Sequence, residues 1–195
     1  EMELRLVGSE MCIRDSGMTS TDTPTVMMDK LAEAAWAQLA DMSPRALHID
    51  EIAAAAGIAP IAARAVSGSI TALILHQLAR LDRQAILESL ADIEDAGEVP
   101  VRDKIMEALM HRFEVYAPYR AQLIQLESAA RRDPVLGLRL VQSLLQATRM
   151  LLRMAGDDLV GFRGEARVRG VAGLAMVVAR VWRTDDTPDL SMTLK

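Results

Sequence analysis

The chain has little cysteine, histidine or aromatic character: one Cys, three His and two each of Trp, Tyr and Phe in 195 residues. A lone thiol closes no intrachain disulfide, and it supplies no Cys-His ligand set of the zinc-finger kind. Long apolar runs are missing too. The run Gly170 to Ala179 is held between Arg169 and Arg180 and is about half the ~20 residues that a membrane-spanning helix needs. No secretory apolar region is expected at the start. A Gly-x-Ser-x-Gly elbow, a phosphate-binding loop and a dinucleotide-binding glycine pattern are all absent, and Gly156, Gly161 and Gly164 lack the spacing of the last. The expectation is a cytoplasmic protein that is not an enzyme and has no cofactor.

The first residues differ from the rest. Leu6 to Asp15 read LVGSEMCIRD, the translation of CTC GTG GGC TCG GAG ATG TGT ATA AGA GAC. That string resembles a transposase-type sequencing adapter read in one frame, and Arg5 and Ser16 fit the partial codons at its ends. Residues 1–17 are therefore expected not to be native, with Met18 as the true start. Cys12 falls in this stretch, so the remainder has no cysteine. From Met18 onward there are 178 residues, with 20 basic and 23 acidic side chains. That length suits one domain of ordinary size.

Hydrophobic residues make up 51% of the chain and aromatics 3%. The abundant Ala, Leu, Met and Arg are good helix formers, with few β-branched runs to compete. Helical spacing of Leu31, Ala35, Trp36 and Leu39 predicts a first helix over 26–40. A short helix follows, capped by Asp50, with Ile52, Ala53 and Ala56 on one face and Gly57 at its end. Pro60 opens a second short helix to about Val66. Ser69 caps a long helix over 70–94. After a linker at 95–98, helices are expected from Pro100 to near Pro118, over 119–131, from Asp133-Pro134 to 155, over 163–182, and from Thr187-Pro188 onward. The abrupt end at Lys195 suggests a truncated reading frame.

Two short helices meeting at a glycine after a longer one, with a long helix behind, form a helix-turn-helix layout. The segment IDEIAAAAGIAPIAARAVSGSITALILHQL resembles the N-terminal domain of TetR-type transcriptional regulators. Ala56-Gly57-Ile58, Ser69 and Ala72-Leu73 stand at matching positions without a gap. Weaker similarity continues through ARVWRTDDTPDLSMTL, so the resemblance covers nearly all of Met27 to Leu194. It implies an all-α fold. The head, degenerate in its helix-turn-helix, occupies 18–96 with its connecting helix, and a helical ligand-binding and dimerisation domain occupies 97–195. It also implies a homodimer that binds a DNA operator and responds to a small apolar ligand.

The chain departs from the family at several contact positions. Where a small hydroxyl, a tyrosine, a phenylalanine and a lysine usually stand, it has Ala62, Arg64, Ser67 and Ile70. Such hydroxyls, aromatics and lysines contact phosphates and set register. The candidate DNA contacts are Pro60, Ile61, Arg64 and Ser69, and only Arg64 carries charge toward a phosphate or a guanine edge. From Met27 to Glu98 there are 5 basic residues against 11 acidic ones, and from Val99 to Lys195 15 against 11. DNA affinity rests on phosphate neutralisation, so an acidic head has the wrong polarity for it.

A second resemblance accommodates this. The accessory proteins of coenzyme Q (ubiquinone) biosynthesis are similar to TetR proteins in fold but bind lipid instead of DNA. The altered turn, Pro60 and the Met-rich, apolar C-terminal half resemble that family. It implies a lipid ligand and peripheral membrane contact through a final amphipathic helix, which would begin here at Pro188. On either reading Met106, Met110, Phe113, Leu123, Leu126, Leu145, Met150 and Met154 are candidates to line an apolar ligand pocket, methionine being suited to adaptable surfaces. The alternative is an ordinary bundle core. Gly170 and Gly173 cost about 1 kcal/mol each in a helix. With Val177 they are the candidate dimer face, the alternative being close packing within the chain. Arg163, Arg167, Arg169, Arg180 and Arg183 are expected to form a solvated basic side.

His48, His76 and His111 fall on three separate predicted helices. None is assigned a second ligand at i+3 or i+4, so no metal site is expected. Asp157-Asp158 and Asp185-Asp186 sit at helix ends, where capping accounts for them.

Overall fold

Proline and small polar caps set most of the helix starts. A computed structural model of the chain describes residues 22–95 and 99–183. Pro24, Pro60 and Pro134 stand at the first positions of α1 (Pro24–Gln38), α3 (Pro60–Val66) and α7 (Pro134–Met154). Proline's fixed φ suits that position, and its missing N–H leaves no donor unpaired. Thr23 Oγ1 accepts from Val26 N at 3.4 Å, so α1 starts two residues before the predicted boundary. Asp133 accepts from the amides of Val135 and Leu136, both at 3.1 Å, and Ser69 Oγ from Ala72 N at 3.1 Å. Ser69 thereby begins α4 (Ile70–Asp95). The remaining helices are α2 (Ile49–Ala55), α5 (Val101–Tyr116), α6 (Arg120–Ala130) and α8 (Gly161–Trp182). The described residues form an all-α structure.

Three details correct the sequence reading. Extended His48 precedes α2 as its cap residue, so it is not on a helix. Asp50 lies inside the first turn, where its charge meets the helix's positive end. The last described helix begins at Gly161, ahead of the predicted 163. The helix expected after Thr187-Pro188 lies outside the described residues.

Gly57, at φ +67°, turns the chain between α2 and α3, a conformation that a Cβ disfavours. Central α4 packs against α1, α5 and α7, while α8 packs mainly on α7. Leu31, Ala35, Trp36 and Leu39 are all buried, as their spacing predicts. Their cluster continues through Ile52, Leu73, Ile74 and Leu78 to Phe113, Tyr116, Leu126 and Trp182. Trp36 meets Tyr119 edge-on, with ring centroids 5.9 Å apart, and ties α1 to the turn before α6. A smaller cluster of Ala108, Leu151, Leu152 and Val168 joins α5, α7 and α8.

The α7–α8 connection is tight. Leu159 has φ +52°, and Asp157 Oδ1 accepts from its amide at 2.9 Å. A Cβ at buried Gly164 would stand 2.3–2.6 Å from the Leu159 backbone, so this approach requires glycine. No single described helix is long and apolar enough to cross a membrane.

Candidate functional site

A cavity of about 480 Å³ lies among α4, α5, α6, α7 and α8. That volume is within the range of small-molecule sites. Its walls are mostly apolar, with Leu78, Phe113, Leu123, Leu126, Leu140, Leu144 and Trp182 contributing from five helices. The helical repeat of each element brings these residues inward. Phe113 and Trp182 stack obliquely, with ring centroids 5.5 Å apart.

One polar unit is set into this wall. Arg112 Nε donates to Asp82 Oδ1 at 2.7 Å, and Tyr116 Oη lies 3.0 Å from the same oxygen and 3.2 Å from the Leu78 carbonyl. Burial opposes the Arg112 charge, but the facing Asp82 carboxylate and Tyr116 outweigh it and raise the guanidinium above its ordinary range. Burial, reinforced by Asp82, also raises the Tyr116 hydroxyl. Tyr116 stays neutral near pH 7, and its hydroxyl and the Arg112 guanidinium converge on one carboxylate oxygen. A second pair, Arg183 with Glu127, also borders the cavity, and Arg120 stacks 4.6 Å over Trp182.

Of the residues singled out from sequence, Phe113, Leu123 and Leu126 line this cavity. Leu145 and Met154 pack on the smaller cluster instead. Met106 and Met150 are 50% and 43% exposed, and half-buried Met110 is outside the cavity wall. The inward stripe of α5 runs through Ile105, Ala108, Leu109, Arg112, Phe113 and Tyr116, which turns Met106 outward. Asp82, Arg112 and Tyr116 were missed because charge alone reads as surface. Their signal was Asp82 amid apolar Leu78, Leu81 and Ala85, with Arg112 and Tyr116 four residues apart. The α8 wall escapes sequence reasoning because an arginine reads as solvated; the Arg183 side chain is 19% exposed and paired with Glu127.

The outer surface of α2 and α3 is different. Pro60, Ile61, Arg64 and Ser69 are exposed, Ile61 to 79%. Ser69 spends its hydroxyl on capping α4. Arg64 Nη2 donates to both oxygens of Asp50, at 2.5 and 2.7 Å.

On α8, Gly170 and Val177 are exposed and Gly173 is half-buried, with exposed Leu174 and Val181 beside them. Among the described residues, a Cβ at either glycine would meet nothing within 4 Å.

His76 and His111 are both half-buried. His76 shares a 2.6 Å hydrogen bond with Asp29. His111 does have carboxylates at helical spacing, Glu107 at i−4 and Glu114 at i+3, and Asp92 reaches it from α4.

No family model matches the chain, and no curated protein matches it.

Proposed function

We propose that this is a TetR-like, ligand-responsive transcriptional regulator, dimeric and cytoplasmic, whose C-terminal bundle takes a small apolar ligand. The observation that carries the reading is the position of α4. Leu73 and Ile74 of this helix are buried in the core cluster shared with α1, α2 and α3, and one and two turns further on Leu78 and Asp82 line the cavity. A ligand that moves the cavity end of α4 therefore acts on the short helices through one rigid element. In a dimer that changes the spacing of two heads, and with it their fit to two half-sites. The Gly170, Gly173 and Val177 face of α8 is the surface we assign to the second copy. Pro60, Ile61 and Arg64 on α3, with Ser69 at the turn, are the residues we assign to DNA.

One observation favours a second reading, an apolar-ligand or lipid-binding protein on the same scaffold that does not read DNA. The single cation of α3 is held by Asp50, in a head with 5 basic against 11 acidic residues. Such an exposed pair contributes only about 0–1 kcal/mol, so a phosphate or guanine can take Arg64 from it. The regulator reading therefore stands first.

The test is a titration of the full chain with DNA flanking its own gene, at low and moderate salt. Sequence-selective binding that weakens with salt supports the regulator. A folded protein that binds no DNA at low salt overturns it. Mass spectrometry of co-purified lipid then tests the second reading.

A further inference from the structure

Away from the cavity, three carboxylates surround one imidazole where the last turns of α4 meet α5. His111 Nε2 lies 2.8 Å from Asp92 Oδ2 and 3.5 Å from Glu107 Oε1. Its other nitrogen, Nδ1, lies 3.5 Å from Glu114 Oε2. Glu107, His111 and Glu114 share one face of α5 at i, i+4 and i+7, and Asp92 comes from the neighbouring helix. The His111 side chain is 15% exposed, whereas the three carboxylates are each more than half exposed and free to adjust. Among the described residues, no Lys or Arg lies within salt-bridge distance of these carboxylates. Three negative charges thus converge on one imidazole.

We propose that Asp92, Glu107 and His111 bind a divalent transition-metal ion, with Zn²⁺ as the ion that suits the donors. One imidazole nitrogen with two carboxylates selects Zn²⁺ over Mg²⁺ and Ca²⁺, which take oxygen ligands. Zn–N and Zn–O bonds are about 2.0–2.2 Å, so two donors on one tetrahedral ion stand roughly 3.3 Å apart. His111 Nε2 lies 2.8 Å from the Asp92 donor and 3.5 Å from the Glu107 donor, and all three lie within 4.8 Å of one another, distances on either side of that value. Three protein ligands leave a fourth position for water. Glu114, 3.5 Å from Nδ1, stands where it can close to accept the Nδ1–H and leave the Nε2 lone pair for the metal, the carboxylate–histidine pairing that orients metal ligands. The ion links α4 to α5 across residues 96–98, independently of the cavity and of any DNA contact.

Equilibrium dialysis of the full chain against Zn²⁺ tests this, with circular dichroism as the folding control. One saturable equivalent is expected. His111→Ala, Asp92→Asn and Glu107→Gln should each lose it, and Glu114→Gln should weaken it by about 10–100-fold. Excess Mg²⁺ should not displace it. The asparagine and glutamine changes are at exposed sites and keep the test open should His111→Ala unfold. No saturable equivalent, or one that survives in folded Asp92→Asn and Glu107→Gln, overturns the proposal.

Discussion

Arg64 on α3 holds both carboxylate oxygens of Asp50 on α2, at 2.5 and 2.7 Å, with both side chains more than half exposed. The pair neutralises the only cation on the two short helices without adding much stability. Asp50→Asn should change unfolding free energy by less than about 1 kcal/mol. On the regulator reading it should tighten DNA binding, and Arg64→Ala should weaken it. Fluorescence anisotropy with a labelled flanking duplex checks both, and equal affinities across the three proteins would count against a DNA role for α3.

The Asp82–Arg112–Tyr116 unit makes the opposite case, because it is buried. The Asp82 side chain is 6% exposed and that of Arg112 23%. Removing one partner leaves the other charge stranded in the cavity wall. Asp82→Asn should cost about 3 kcal/mol in urea unfolding, and adding Arg112→Met should recover part of it. A loss below 0.5 kcal/mol, on the scale of an exposed pair, would contradict this account.

Two glycines in α8 should respond with opposite signs. Gly164→Ala drives a Cβ into the Leu159 backbone and should destabilise by roughly 1–3 kcal/mol. Gly170→Ala meets open space and should gain up to about 1 kcal/mol from helix propensity. Thermal unfolding of the two variants at one protein concentration separates the cases.

The exposed α8 face has its own test. Val177, 63% exposed, sits one turn from Gly173 and Leu174. If this face meets a second copy, Val177→Asp should convert a dimer to a monomer in sedimentation velocity while leaving helicity intact. A dimer that persists would move the interface elsewhere.

Acid should weaken the fold through two carboxylates. Glu165 is held below its ordinary 4.5 first by hydrogen bonding to Arg149 and then by Arg169. Asp133 is held below 3.8 first by the Leu136 amide, with Arg45 and the Val135 amide adding to it. For both, the folded pKa lies under the unfolded one. Their contribution is therefore complete above the unfolded value and lost as pH falls through the folded one. Melting temperature should drop below about pH 4, and Glu165→Gln should make that drop shallower.

Much of the local structure was legible because its causes are local. Ser69 and Asp133 cap through side chains two or three residues from the amides they bind, and Pro60 and Pro134 act at their own positions. The stripe Leu31, Ala35, Trp36, Leu39 needs only the 3.6-residue repeat. The cavity was legible in part. Phe113, Leu123 and Leu126 were found by being apolar and inward, and Met106 and Met150 failed the same criterion, because a methionine on the flank of a stripe looks like one at its centre. The surroundings of His111 were legible only in part. Its carboxylates at i−4 and i+3 are in the sequence, but Asp92 is 19 residues away.

By itself the sequence determined an all-helical chain, its breaks, and the apolar side of most helices, since propensity, capping and periodicity act within a few residues. Only the tertiary structure decided what meets across helices. Asp82 and Arg112 became a buried pair, Asp50 came to occupy Arg64, and Gly170 of α8 was left facing outward. Each of these depends on how two helices are turned toward one another. That rotation is set by the packing of the whole core, and no single segment's pattern contains it.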